Sequence, residues 1–144
     1  MRILVTGASG FVGGRFMARC RGRSGLSLHG VGRRPLADPD YTAHDLATPF
    51  DVPFTPDVVI HAAARATPWA RLLDYERDNV EATRQVIDFC TRRDLPRLVY
   101  VSSSSVYYRS GHQLGLTEDS PIGPRFANAY AATTWRVAST LSRS

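Results

Sequence analysis

The hydrophobic positions of this chain alternate between short apolar runs and segments with helical spacing. Runs without polar alternation, such as residues 3–5, are typical of strands in a parallel sheet that is covered on both faces. The pattern predicts five strands, at residues 3–5, 26–32, 42–46, 57–63 and 98–102, of which the third is short and lies within a proline-rich segment.

Helices are predicted between these strands. Phe11, Phe16 and Cys20 recur at helical spacing, and Gly22 and Gly25 end that helix. A longer helix follows the fourth predicted strand, from about residue 75 through residue 90 to an end near residues 93–94, and a last helix begins near residue 128. Strands that alternate with helices indicate an α/β fold, a doubly wound parallel sheet with strand order 3-2-1-4-5, in one domain over residues 1–144.

Three glycines follow the first predicted strand. A glycine-rich turn between a strand and a helix directs backbone N–H groups and the positive helix end toward an anion, usually a pyrophosphate. Gly7 allows the tight turn, Gly10 the close approach of a phosphate, and Gly13 the close packing of helix on strand. The spacing Gly-x-x-Gly-x-x-Gly differs from the commonest dinucleotide fingerprint, and a plain tight turn is the alternative.

Small or polar residues follow the other predicted strands. They are Arg33 after the second strand, Asp45 in the third, residues 61–64 at the fourth and residues 102–105 at the fifth. Ligands of such sheets lie outside the carboxyl ends of the strands. We therefore expect these segments and the glycine loop to line one crevice.

The end of the second strand bears on the choice of dinucleotide. An acidic residue about 20 positions past the glycines favours NAD by binding the ribose hydroxyls. Gly32 stands there instead, followed by Arg33 and Arg34. Two guanidiniums suit a 2′-phosphate, so the sequence predicts NADP in preference to NAD, with a pair of solvated arginines as the alternative. Asp45 suits the adenine amino group, or serves only as a turn residue.

Composition argues against several classes of protein. Hydrophobic residues make up 43% of the chain, enough for a packed core. No apolar run approaches the ~18 residues of a membrane span. All 18 basic residues are arginine and the net charge is +5, but no basic stripe interleaves with aromatics, so we expect a solvated surface and no nucleic-acid site. Cys20 and Cys90 are expected to be buried free thiols in the cytoplasm, and no Cys/His spacing suits a metal.

Two segments carry hydroxyl groups suited to chemistry. Residues 102–105 are four serines, and a hydroxyl there can bond the oxygen of an alcohol or carbonyl substrate. A serine-rich turn is the alternative. Tyr130 and Thr134 lie four residues apart in the last predicted helix and therefore share one face.

In these motifs the chain resembles the extended short-chain dehydrogenase/reductase group, and within it the NAD-dependent epimerase/dehydratase family. The matching segments follow the family's order along nearly the whole chain, at residues 6–13, 45–46, 59–64, 79–83, 101–107 and 128–133. The resemblance implies a Rossmann-like cofactor domain. It also implies transient hydride transfer at a sugar carbon of a nucleotide sugar, giving epimerisation, dehydration or reduction.

The resemblance assigns roles to individual residues. Around the dinucleotide it places Gly7, Ser9, Gly10, Phe11, Val12, Gly13, Asp45, Leu46, Ala62, Ala63 and Ala64, with Phe11 and Val12 beside the pyrophosphate. Asn79 supports the active-site strands. Ser103, four residues before Tyr107, is the catalytic hydroxyl, with Ser104 as second candidate. Tyr130 is the catalytic acid/base and also lies against the cofactor.

The resemblance also implies an assembly. Members of the family often form a homodimer through the long helix and the tyrosine helix. Phe89 and Trp135 are candidate interface residues, and each is an equally good core residue.

Two features depart from the family. The family has Tyr-x-x-x-Lys, whereas Thr134 occupies the lysine position and the chain has no lysine elsewhere. Threonine can hydrogen-bond a ribose but carries no charge to favour a phenolate, so we expect a loss of about 10²–10⁴ in rate. Family members also continue well beyond this length, and we expect the C-terminal substrate-binding part to be absent.

Three functions are compatible with this pattern. The first is the cofactor domain of such an enzyme, with impaired activity. The second is a non-catalytic module that binds NADP(H) or pairs with a partner. The third is a truncated gene product without function. The sequence predicts neither the substrate nor the reaction type.

Overall fold

Strands and helices alternate along the part of the chain that the computed structural model describes, residues 1–67, 69–95, 97–109, 111–123 and 125–141. The strands are β1 (Arg2–Thr6), β2 (Ser27–Gly32), β3 (Tyr41–Ala43), β4 (Val58–His61) and β5 (Leu98–Tyr100). The helices are α1 (Phe11–Cys20), α2 (Leu72–Tyr75), α3 (Ala82–Arg92) and α4 (Ala129–Leu141). A π-helical turn, Glu76–Glu81, joins α2 to α3, and a 3₁₀ turn, Ser104–Tyr107, follows β5.

The strands form one parallel sheet in the order β3-β2-β1-β4-β5. This confirms the predicted α/β class and the predicted strand order. In the register of the sheet, Thr6 at the end of β1 lies between Val31 of β2 and His61 of β4. The carboxyl ends of the three central strands therefore meet at one edge.

Alternate residues of the strands supply two separate cores. Leu4 and Val59 pack with Val86 and Phe89 of α3, and Phe50 stacks on Phe89 with ring centroids 4.8 Å apart. Neighbouring positions of the same strands, Ile3, Val5 and Val58, pack instead with Met17 of α1. Since successive strand residues point to opposite faces, α1 and α3 cover opposite faces of the sheet. Burial on both faces explains why these strands are apolar without alternation.

Several strands differ in extent from the prediction. β4 ends at His61 and β5 at Tyr100, two residues earlier than expected in each case. One further ladder bond, from the Val101 N–H to the His61 carbonyl at 3.0 Å, marks where the chain leaves the sheet. β3 is three residues long, beginning at Tyr41, because it pairs only with the last three residues of β2.

Burial of the two cysteines and of Phe11 differs in part from what the sequence predicts. Cys20 and Cys90 are both free, and Cys90 is buried, which raises the pKa of its thiol to about 11. Cys20 is only half-buried, because the buried side of α1 is formed by Gly13 and Met17. Phe11 is 80% exposed and does not belong to the core.

The chain divides into two compact units. The first, Met1–Ala64 with Glu81–Val101, contains the sheet, α1 and α3. The second, Arg65–Val80 with Ser102–Ser144, contains α2, the 3₁₀ turn and α4. Across the described ranges, no helix has both the length and the apolar character that a membrane crossing requires.

Candidate functional site

The loop after β1 requires glycine at its first position. Gly7 has a φ of +71°, in the left-handed region that favours glycine. A Cβ atom there would also lie 2.7 Å from the backbone N and Cα of Ala63, just beyond the end of β4. The loop therefore passes in direct backbone contact over the segment Ala62–Ala63. This places two of the predicted cofactor-binding segments together in the first unit.

The other two glycines hold α1 close to this loop. A Cβ atom on Gly13 would lie 2.5 Å from the carbonyl oxygen of Gly7, so only glycine lets the first turn of α1 pack there. The Gly10 N–H donates to the same carbonyl at 2.8 Å. Among the described residues, a Cβ on Gly10 would meet only that oxygen, at 3.1 Å. The outer side of Gly10 is thus open to an approaching group.

The start of α1 has the properties of an anion site. Within the described chain no side chain caps this helix at Gly10, and its first turn contains no acidic residue. Its first residues, Phe11 and Val12, are 80% and 52% exposed. The N-terminal amides and the positive helix end therefore fit a phosphate, as the pyrophosphate of a dinucleotide would require.

At the end of β2, Gly32 leaves room for the side chains of two neighbouring residues. A Cβ atom at this position would lie 2.8 Å from both the Ser9 Oγ and the Tyr41 hydroxyl. The Arg34 guanidinium donates to the Ser9 carbonyl, and the Tyr41 hydroxyl donates to the Arg34 carbonyl at 2.7 Å. Arg34 is therefore hydrogen-bonded to the glycine loop, although it is exposed. Arg33 beside it is exposed as well.

Asp45 and Leu46 are arranged differently from each other. An Asp45 carboxylate oxygen accepts from the Ala47 N–H at 3.1 Å, and its carbonyl accepts from the Thr48 N–H at 3.0 Å. Asp45 thus has the turn role that the sequence left open, while its contact with adenine stays a prediction. Leu46 is buried in the core on the α3 face.

A fully buried histidine ties together the elements beneath the loop. His61 Nδ1 lies 2.6 Å from the Thr6 Oγ1, and its Nε2 lies 2.8 Å from the Thr83 Oγ1 on α3. Burial lowers the pKa of His61 to about 4, so the ring is neutral at pH 7. In the sequence, His61 is notable only as the first residue of the segment 61–64. Its pairing with Thr6 requires the strand register, which the sequence does not show.

In the second unit, Asn79 holds the chain that leaves β4. Its Oδ1 accepts from the Arg65 N–H at 2.7 Å, and its Nδ2 donates to the Arg65 carbonyl and the Thr133 hydroxyl, each at 3.3 Å. Asn79 is 3% exposed and belongs to the π-helical turn. The extra residue in such a turn changes the direction of its side chains, and π turns often occur at functional sites.

The serine run forms the 3₁₀ turn, which packs against α4. The Ser103 Oγ accepts from the Ser105 N–H at 3.2 Å, and Ser104 is exposed. The Ser105 Oγ is buried, with no hydrogen-bond partner among the described residues. The serines thus lie at a turn, the alternative that the sequence left open, with Ser103 as the residue that caps it. The catalytic role of Ser103 stays a prediction.

Tyr130 and Thr134 lie on α4. Asn128 caps the start of this helix, where its Oδ1 accepts from the Ala131 N–H at 2.9 Å. Tyr130 is half-buried, whereas Thr134 is 3% exposed. The Arg136 guanidinium pairs with Glu76. Arg136 is thus engaged elsewhere in this unit and does not supply the missing lysine charge.

The side chains that could bind a metal ion are dispersed. Within the described ranges, no three His, Cys, Asp or Glu side chains are grouped so that they could hold a metal ion.

Comparison with known proteins identifies the family. Residues 3–140 match the sequence model of the NAD dependent epimerase/dehydratase family. The chain is 38% identical to a 2-alkyl-3-oxoalkanoate reductase of Stenotrophomonas maltophilia, over 92% of this chain and 43% of the reductase.

Solved structures agree with this match. MoeE5 in complex with UDP-glucuronic acid and NAD is 30% identical, with a TM-score of 0.80 over 96% of this chain and 48% of MoeE5. A short-chain dehydrogenase/reductase superfamily protein of Agrobacterium tumefaciens with bound NAD is 27% identical, with a TM-score of 0.80 over 98% of this chain and 44% of that protein. The chain thus spans less than half the length of these relatives. It belongs to the NAD-dependent epimerase/dehydratase family and has the Rossmann-like fold of these proteins.

Proposed function

We propose that this member of the family is the dinucleotide-binding part of a hydride-transfer enzyme that acts on a secondary alcohol or ketone of a nucleotide sugar. The observation that carries the proposal is the glycine loop. Gly7 and Gly13 are required there by backbone contacts of 2.7 and 2.5 Å, and α1 begins without an acidic residue in its first turn. The match to relatives described with NAD supports the same cofactor class.

The proposed roles divide between binding and proton transfer. A bound dinucleotide supplies the hydride acceptor or donor. The loop amides at Gly10 and the start of α1 bind its pyrophosphate. The Tyr130 hydroxyl gives or takes the proton at the substrate oxygen, and the Ser103 hydroxyl, with Ser104 as second candidate, donates a hydrogen bond to that oxygen.

Thr134 sets the expected rate. A lysine at this position would place a positive charge near the tyrosine and favour its ionised form. We propose that the chain with Thr134 is slower by about 10²–10⁴. The test is the rate of hydride transfer, followed by NAD(P)H absorbance, in wild type and in Thr134→Lys.

Two controls make this test specific. Thr134→Lys should increase the rate, and adding Tyr130→Phe to it should remove the gain. Thr134→Val keeps the size and burial of the side chain without its hydroxyl, and should not increase the rate. An unchanged rate in Thr134→Lys would contradict the role proposed for Thr134, and dinucleotide binding without turnover in any of these variants is what a non-catalytic binding module predicts.

We further propose a preference for NADP over NAD. Residues 32–34 at the end of β2 include no carboxylate that would repel a 2′-phosphate, and the space beside Gly32 is filled by Ser9 and Tyr41. Arg34 is held at the glycine loop, and a guanidinium has five N–H donors, of which the Ser9 carbonyl uses one in this structure.

Substituting the arginines tests the preference. Arg33→Ala and Arg34→Ala should each weaken NADPH binding about tenfold and leave NADH binding nearly unchanged, because only NADPH has the 2′-phosphate. Arg23→Ala is the matched control, since Arg23 bonds the Arg19 carbonyl within its own segment. Equal affinity of the wild-type chain for NADH and NADPH would contradict the preference.

A 3-oxoalkanoate is a second candidate substrate. The relative with 38% identity is named as a 2-alkyl-3-oxoalkanoate reductase, whereas MoeE5 was crystallised with UDP-glucuronic acid. The second candidate is therefore reduction of the ketone of a 3-oxoalkanoate. Parallel assays of a UDP-sugar and a 2-alkyl-3-oxoalkanoate with Thr134→Lys distinguish the two.

We also propose that the chain forms a homodimer. A homodimer through the long helix and α4 would place Trp135, which is half-buried, near the interface. Phe89 is fully buried in the core of its own chain and cannot contribute to the dimer interface. Trp135→Ala should lower the dimer fraction in size-exclusion chromatography.

The cysteines bear on the cellular compartment. The two free thiols support the cytoplasm as the compartment.

A further inference from the structure

We propose that His61 is a positioning residue that holds the glycine loop in its dinucleotide-binding shape through Thr6. The inference rests on the proposed binding of a dinucleotide. It concerns a side chain that lies beneath the loop and is fully buried, so it acts through its neighbours.

Thr6 and His61 each stand directly before a segment that forms the loop contact. Thr6 precedes Gly7, and His61 precedes the segment Ala62–Ala63. Gly7 lies over this segment so closely that a Cβ atom would be 2.7 Å from the Ala63 N and Cα. At this point of the sheet the Ala62 N–H donates to the Thr6 carbonyl at 3.3 Å. The 2.6 Å contact between the Thr6 Oγ1 and His61 Nδ1 adds a side-chain link between the same two strands.

The other side of the imidazole anchors this link to α3. His61 Nε2 lies 2.8 Å from the Thr83 Oγ1. A neutral imidazole has one donor and one acceptor nitrogen, and a threonine hydroxyl can take either role. The row Thr6, His61, Thr83 therefore satisfies both ring nitrogens in a fully buried site. The Tyr100 ring of β5 packs beside it, with ring centroids 5.7 Å apart.

Two substitutions separate a positioning role from a purely structural one. In His61→Asn the shorter amide would reach the place of Nδ1 and keep the bond to Thr6. In His61→Gln the longer amide would reach the place of Nε2 and keep the bond to Thr83. Each variant thus loses one of the two bonds. A structural role predicts similar effects of both on NADH binding.

The positioning role predicts unequal effects. His61→Gln should weaken NADH binding about tenfold, because Thr6 loses its side-chain bond to residue 61, whereas His61→Asn should bind NADH as wild type does. Binding is measured by calorimetric titration at a temperature at which circular dichroism shows both variants folded.

A second pair covers the case in which the His61 variants do not fold. Thr6→Val and Thr83→Val are nearly isosteric, and each removes one hydroxyl from the row. Thr6→Val should weaken NADH binding about tenfold and Thr83→Val should not. Equal affinities within either pair would overturn the positioning role while leaving the proposed function standing. A folded wild-type chain that binds no NADH would overturn both.

Discussion

Gly13 shows at the scale of one residue how packing and binding depend on each other. Its missing side chain lets α1 approach the Gly7 carbonyl, where a Cβ atom would stand at 2.5 Å. Gly13→Ala should therefore lower the free energy of unfolding by about 1–3 kcal/mol, because backbone must move. It should also weaken dinucleotide binding, because the same shift displaces the loop.

Gly22→Ala is the matched control for this prediction. Gly22 has a φ of +74° and no atom within 4 Å of an added Cβ, so alanine there is strained without touching the loop. Its cost of about 1–2 kcal/mol should leave NADH binding unchanged. Chemical unfolding and calorimetric titration of both variants check this. If the two variants bind NADH equally, close packing at Gly13 does not matter for the site.

His61 gives the protein a pH dependence that can be measured. Burial lowers its pKa from 6.5 to about 4. Below pH 6.5 the unfolded chain takes up a proton that the folded chain takes up only near pH 4, so stability falls as the pH falls through this window. At pH 5 the loss from this residue should be about 2 kcal/mol relative to pH 7.

His61→Asn removes this part of the pH dependence. Urea unfolding of wild type and His61→Asn at pH 7 and pH 5 measures it. The pKa of His29 is also lowered, mainly by burial, and contributes in the same direction in both proteins. An equal loss of stability in wild type and variant would show that His61 is not buried as a neutral ring.

The sequence was informative about single residues where backbone chemistry decides. Gly7 was predicted correctly at a tight turn and Gly13 at a close helix contact, since a Cβ atom at either position would meet backbone atoms. The phosphate contact at Gly10 stays a prediction. Asp45 has a hydrogen-bonding pattern that serves a turn equally well, so the residue type did not decide its role. The Arg34 contact with Ser9 joins residues 25 positions apart and was not visible in the sequence.

At the scale of elements, the π-helical turn is the feature that periodicity did not show. The apolar spacing predicted one regular helix through Tyr75 and Cys90, whereas residues Glu76–Glu81 form a wider turn. Apolar spacing over one turn cannot distinguish the two geometries. The turn is defined by the contacts of Asn79, which joins the segment after β4 to α4.

Comparing two asparagines tests this role of the turn. Asn79→Ala leaves the Arg65 N–H without its acceptor and removes three hydrogen bonds, so it should cost about 3 kcal/mol of unfolding free energy. Asn128→Ala removes only the cap of α4 and should cost about 1 kcal/mol. An equal loss of unfolding free energy in the two variants, measured by urea unfolding, would mean that Asn79 does not hold the segment after β4 against α4.

The order of the strands was predictable because the strands alternate with helical segments, and because the central strands β1 and β4 are apolar on both sides. The ends of β4 and β5 were not, since small residues such as Ala62 suit both a strand and the loop after it. Strand ends depend on where the neighbouring strand stops, which is a property of the sheet.

At the scale of the whole molecule, the chain belongs to one family and spans less than half the length of the reductase and of MoeE5. The family and fold were predictable because the glycine loop, strand ends and tyrosine helix occur in one order. The substrate was not, because relatives of similar sequence are described with different substrates, a 2-alkyl-3-oxoalkanoate and UDP-glucuronic acid.

Calorimetric titration of the wild-type chain with NADH and with NADPH tests most directly whether this chain binds a dinucleotide. We expect saturable binding of one dinucleotide per chain, with NADPH bound more tightly than NADH. Absence of saturable binding of either dinucleotide, by a chain that circular dichroism shows to be folded, would contradict this expectation.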